Sequence, residues 1–147
     1  KTAVVEKESL GENKLLKLLL EPTRIYTKEV QTITKRTNTL RAVAHITGGG
    51  LTENLPRVIS EEFSSEILLS HYPATLIYSW IKHNSQLEDE ELMRTFNCGI
   101  GLVIVFDGDR FEDARSILES ENIPFTLIGK VIKKEAKPVI YRSKLNL

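Results

Sequence analysis

Residues 40–57 read LRAVAHITGGGLTENLPR, and the fold turns on how this stretch is parsed. Leu40, Ala42, Ala44 and Ile46 alternate with Arg41, Val43 and His45, so a strand is expected over Thr39–Thr47. Gly48, Gly49 and Gly50 end it. Glycine loses more backbone freedom on folding than any other residue, so three in a row need a compensating reason. Either the chain turns sharply, or a ligand comes close to bare backbone. Beyond the glycines, Leu51–Val58 predicts a short helix or turn limited by Pro56. A strand, a glycine turn and a helical start let backbone N–H groups and a helix N-terminus face an anion such as phosphate. A tight turn and nothing more fits the same residues about equally well.

On either side, apolar spacing predicts further elements. Residues 1–13 are charged and aperiodic, and a loose arm is expected there. Short helices are expected over Lys14–Leu20, which ends before Pro22, and over Ile25–Lys35, where Tyr26, Val30 and Ile33 share a face. No element is assigned between Val58 and Pro73. A helix follows over Pro73–His83 with Leu76, Ile77, Trp80 and Ile81 on one face, then an acid-opened helix over Glu88–Phe96. Gly101–Phe106 contains LVIVF, apolar throughout, and is expected to be a strand covered on both faces. Asp109–Glu121 is the clearest helix, with Asp109 as cap, Glu112 completing a capping box, and Phe111, Ala114 and Leu118 facing inward. Strands are expected over Pro124–Ile132, bent at Gly129, and over Val139–Arg142 at a sheet edge, since Pro138 precedes it. The order implies an α+β or layered α/β domain, a mixed sheet flanked by helices.

Composition sets the bounds on function. The chain has 147 residues, enough for one domain with its own core. Lys and Arg number 20, as do Asp and Glu, so the formal net charge is zero, which argues against a nucleic-acid or membrane-surface binder. Lys130, Lys133, Lys134, Lys137, Arg142 and Lys144 crowd the C-terminus and read as a solvated edge and tail. Cys98 is the only cysteine, which excludes a disulfide framework and fits a reducing, cytoplasmic setting. The apolar runs LLKLLL and IGLVIVF fall well short of the roughly 20 residues of a membrane span. Because the chain starts at Lys1 and its only methionine is Met93, it is expected to be either processed or a fragment of something longer.

Individual motifs are weak in isolation. No lysine follows the glycines, so the turn is not a Walker A loop. The GxG of Cys98–Gly101 runs into a strand rather than a helix, the reverse of a dinucleotide fingerprint. His45 could hydrogen-bond a phosphate or transfer a proton, or simply sit on a strand face. No Cys, His and Asp spacing suits a structural zinc. Cys98 has no base beside it and reads as a small buried residue. Arg24, Arg57 and Arg94 each carry a guanidinium suited to phosphate, or pack on the surface. Trp80 and Phe96 read most simply as core.

Three longer strings carry more: LLEPTRIY (Leu19–Tyr26), AHITGGGLTENLPRV (Ala44–Val58) and RTFNCGIG (Arg94–Gly101). In this order and spacing they resemble the C-terminal domain of phosphoribosylformylglycinamidine cyclo-ligase, or aminoimidazole ribonucleotide synthetase, over roughly residues 14–132. The resemblance implies a layered α/β domain with partial ferredoxin-like topology, occupying 14–147 here. It implies a part in converting formylglycinamidine ribonucleotide plus ATP to aminoimidazole ribonucleotide, ADP and phosphate in purine biosynthesis. It also implies that ATP and magnesium (Mg2+) are bound mainly by an N-terminal domain with no counterpart in these residues. The chain alone is therefore expected to be inactive, its partners being that N-terminal domain, the substrate and, in the full-length enzyme, a homodimer mate. The family's site lies in the cleft between the two domains. His45, Thr47, Gly48, Gly49 and Gly50 are the substrate-binding candidates, followed by Asn54, Arg57, Arg94, Thr95 and Asn97. Selenophosphate synthetase, thiamine-phosphate kinase, a hydrogenase maturation factor and the amidotransferase one step earlier carry related domains, and a non-catalytic binding module stays open as an alternative.

Overall fold

The computed structural model describes residues 12–73 and 75–145. Helices α1 (Glu12–Leu19) and α2 (Thr27–Arg36) lead into β1 (Leu40–His45). The glycine turn then starts α3 (Gly50–Asn54), which tightens into a 3-10 turn over Leu55–Arg57. β2 (Phe63–Leu68), α4 (Leu76–Ser85), α5 (Asp89–Thr95) and β3 (Leu102–Phe106) follow, then α6 (Phe111–Ser120), β4 (Gly129–Lys133) and β5 (Val139–Arg142). The class is α+β, with helices flanking two small sheets.

The expected mixed sheet is divided in two. β1 and β3 form an antiparallel ribbon with His45 opposite Leu102 and Ala44 opposite Val103. The second sheet has the order β4–β2–β5, antiparallel on one side of β2 and parallel on the other, so it alone is mixed. As Pro138 suggested, β5 lies at an edge. The central strand β2 comes from the stretch given no element. Its sequence, FSSEIL, buries the polar Ser64 and Ser65 alongside Ile67. The Ser64 hydroxyl donates to Lys137 O at 2.8 Å and accepts from Glu135 N–H at 3.0 Å, which makes its burial tolerable.

One apolar core joins the glycine turn, α3, α5 and the three-stranded sheet: Ala44, Ile46, Leu51, Leu55, Ile67, Leu69, Tyr72, Leu92, Met93, Cys98 and Val139 are all buried in it. Ile33 of α2 and Ala114 and Leu118 of α6 are buried too, and these two helices pack on each other.

Several local expectations shift. The arm expected over 1–13 gives way at Glu12 and Asn13, which belong to α1; residues 1–11 lie outside the described residues. β3 is not covered on both faces. All five of its residues stay half-buried, and an apolar groove of about 680 Å³ runs along it, lined also by Ile33, Leu118 and the stretch from Ile123 to Val131. The cap before α6 is Asp107, not Asp109: its carboxylate accepts the Asp109 N–H at 3.3 Å and starts a 3-10 turn over Gly108–Arg110, so the helix begins at Phe111. The extended run expected from Pro124 becomes a ladder strand only at Gly129. In α4 the inward residues are Tyr78 and Ile81, while Leu76 is 41% exposed and Trp80 only half-buried. The Tyr78 hydroxyl is bonded to Asn97, which fixes the helix's rotation.

Asp89 ties α5 to the C-terminal tail. Lys82 donates to its carboxylate, and the Leu145 N–H donates at 2.9 Å. Burial opposes ionisation of Asp89, but the Lys82 ammonium and the Leu145 amide outweigh it and hold the pKa below the ordinary 3.8. A depressed carboxylate pKa contributes stability that is fully present above the unfolded value and is lost as pH falls through the folded one. Asp89→Asn should therefore lower stability at neutral pH and flatten the fall in unfolding midpoint below about pH 4, measured by urea melts across pH. Leu92→Ala, which empties a fully buried site, should cost about 2–5 kcal/mol in the same melts. Leu127→Ala, at a side chain 54% exposed, should cost less than about 0.5 kcal/mol.

Candidate functional site

The three strings singled out in the sequence meet at one end of the β1–β3 ribbon. The Ile46 N–H donates to Gly101 O at 2.9 Å, which carries the pairing one residue past β1. The glycine turn then folds onto the C-terminal end of α5. A Cβ on Gly50 would run into the carbonyl oxygens of Met93 and Phe96, and Gly50 and Gly49 both have positive φ, 54° and 88°. Close approach and backbone conformation thus each demand glycine here. Gly48 differs: it is exposed, and a Cβ there would meet nothing within 4 Å.

Asn97 knits the two strings together. Its Nδ2 donates to Ile46 O at 3.5 Å, and its Oδ1 accepts from the Tyr78 hydroxyl at 2.7 Å and from the Gly99 N–H at 3.1 Å. Its own carbonyl accepts from the buried Tyr72 hydroxyl at 2.8 Å. Burial raises the pKa of Tyr72 and of Tyr78, so both stay neutral donors. Asn54 braces the turn from the other side, with Nδ2 donating to Gly50 O at 2.8 Å and Gly48 O at 3.2 Å. Cys98 is fully buried with φ 47°, and burial pushes its thiol up to about 12, which rules it out as a nucleophile at neutral pH.

These bonds sort the sequence candidates. Gly50, Asn54 and Asn97 shape the turn from within. His45, Thr47 and Gly48 are exposed on its outer side, and Gly49 is half-buried among them. Within the turn the Gly50 N–H reaches Thr47 O at 3.1 Å, whereas the N–H groups of Gly48 and Gly49 have no hydrogen-bond partner among the described residues. Because α3 has only five residues, its dipole adds little, and any anion would rest on these amides. The exposed Glu53 carboxylate folds over Gly49, and an arriving anion has to displace it. Thr95 and Arg94 turn toward Glu91, at 3.4 and 3.3 Å. Arg57 is exposed at the end of the 3-10 turn, away from the glycines in sequence.

Tyr26 adjoins the candidate site, although the sequence reading placed it only on a helix face with Val30 and Ile33. It precedes α2, stands half-buried, and sets its ring edge to His45, with centroids 6.3 Å apart and planes at 62°. Arg24 lies 5.5 Å from the Tyr26 ring centre and pairs with Glu29 at 2.6 Å. Only its place in LLEPTRIY could have marked it.

The chain matches the family described as AIR synthase related protein, C-terminal domain, over residues 2–142, and it belongs to that family. Its members are generally ATP-dependent enzymes. No group of three His, Cys, Asp or Glu among the described residues could hold a metal ion, and the glycine turn carries no lysine. Among the described residues, no helix is long and apolar enough to cross a membrane.

The glycines separate experimentally. Gly50→Ala should destabilise the domain by more than about 1 kcal/mol, since the new methyl meets two carbonyls at a positive φ. Gly48→Ala should shift stability by less than about 0.5 kcal/mol. Equal losses from the two would show that the turn is not seated on α5 as described.

Proposed function

We propose that this domain supplies the substrate-cleft half of phosphoribosylformylglycinamidine cyclo-ligase, which makes aminoimidazole ribonucleotide, ADP and phosphate from formylglycinamidine ribonucleotide and ATP. The observation that carries the reading is the convergence of the three strings on one exposed, donor-rich turn. In this reading the free amides of Gly48 and Gly49, the Thr47 hydroxyl and the His45 ring hold the phosphate-bearing substrate. Gly50, Asn54 and Asn97 keep them in register. Ring closure is intramolecular, so a rigid turn that orients the substrate contributes directly to rate. ATP and magnesium are assigned to an N-terminal partner domain, along with the homodimer contact and a cytoplasmic setting, and no step is routed through them here.

The decisive assay is imidazole formation from formylglycinamidine ribonucleotide, ATP and magnesium, by this chain and by the full-length product of its gene. Turnover by the parent and none by the chain is the expected result. Gly48→Val in the parent should raise KM by about tenfold or more, equivalent to one lost charge-assisted contact, with the domain still folded. A folded parent without turnover would move the assignment to another ATP-dependent enzyme of the superfamily or to a binding module.

A further inference from the structure

We infer that Tyr26 is the positioning residue for His45, and that Gly101 lacks a side chain in order to seat it. This rests on the reading of the glycine turn as a ligand site. Two separate contacts carry it. The Tyr26 backbone is fixed at the start of α2, where its carbonyl accepts from the Val30 N–H at 3.0 Å. Its hydroxyl lies in the space that a Cβ on Gly101 would fill, so the ring is pinned at its far end against the start of β3. Between these two anchors the ring edge meets His45. His45 is exposed at the last position of β1, and without that wall its imidazole is free to turn among rotamers. An aromatic edge at this distance limits the rotamers without a hydrogen bond. The ring nitrogens are thereby left to an incoming polar group such as a phosphate oxygen or a substrate N–H. The string LLEPTRIY thus contributes to the cleft through its last residue, and RTFNCGIG through its last glycine.

The test uses carbon–proton correlation spectra of the His45 ring, with His71 and His83 as internal references, and titration with formylglycinamidine ribonucleotide. Tyr26→Leu removes the ring. Gly101→Ala keeps the aromatic ring in the chain but fills the seat of its hydroxyl, and because that oxygen is rigid in the ring plane the whole ring must tilt; the obstacle is the far end of a flexible side chain, so the fold is kept. Both should move the His45 resonances and weaken ligand affinity about tenfold, the scale of one misplaced hydrogen bond. Tyr26→Phe should leave the His45 resonances near wild type. Added to Gly101→Ala it should restore them, because the remaining ring carbons lie 3.0 and 3.1 Å from the new methyl and need give only slightly. A merely structural role for Tyr26 predicts no such rescue. His45 resonances unmoved in both Tyr26→Leu and Gly101→Ala overturn the inference. Resonances that move as expected in a protein that binds no ligand, as this chain or as full-length parent, support the positioning of His45 and overturn the ligand reading instead.

Discussion

The contact on which the site depends is Gly50 against the carbonyl oxygens of Met93 and Phe96. It brings backbone to backbone across a gap that no side chain fits, and so it fixes the distance between the β1–α3 connection and the end of α5. Everything exposed on the turn inherits that distance. Thr47 and Gly48 stand where they do because Gly50, three and two positions on, cannot move outward without opening a void or inward without a clash. Cores transmit such constraints because they are close-packed.

Around this seat the polar network converts a turn into a rigid one. Asn97 and Asn54 satisfy carbonyls on both flanks of the glycines, and buried tyrosines satisfy Asn97 in turn. Each of these bonds is worth little alone, but removing one partner leaves a desolvated polar group, which costs more than the bond contributes. The network therefore resists piecemeal loosening. The left-handed Cys98, with φ 47°, is tolerated because its side chain is wholly buried where the chain reverses between Asn97 and Gly99.

Alternation and breakers made much of the fold legible: β1, the glycine turn, α6 and the edge position of β5 follow from apolar period, Gly and Pro. Legibility failed where burial is polar. β2, the centre of its sheet, was hidden because Ser64 and Ser65 occupy buried positions, and their partners, the backbone of Glu135 and Lys137 for the Ser64 hydroxyl and Pro138 O for the Ser65 N–H, lie far along the chain. Asp107 displaced Asp109 as a cap because an intervening 3-10 turn cannot be read from side-chain spacing. LVIVF misled in the opposite sense: its apolarity suggested two covered faces, yet among the described residues it pairs with β1 alone and borders an open groove. For the candidate site, the strings converge in space around the glycine turn. They could not distinguish Asn54 and Asn97, whose side chains are engaged with the backbone, from His45 and Thr47, which face outward. That distinction lies in rotamers and long-range hydrogen bonds.

The chemistry of the turn is one-sided, and this bears on how a reaction would be divided. The turn offers donors: two free amides, a threonine hydroxyl and an imidazole. The Glu53 carboxylate that lies over Gly49 is exposed, and its release into solvent regains rotamer freedom. Such a surface suits an anion, whose oxygens take N–H and O–H groups directly. It does not suit a divalent cation, which needs converging oxygen ligands. Under the cyclo-ligase proposal the labour is split accordingly. This domain holds the organic phosphate and orients the closing ring, and a facing surface brings the metal-bound nucleotide. Under the same proposal, placing donors on one domain and metal-binding oxygens on the other keeps each set from neutralising the other before the ligands arrive.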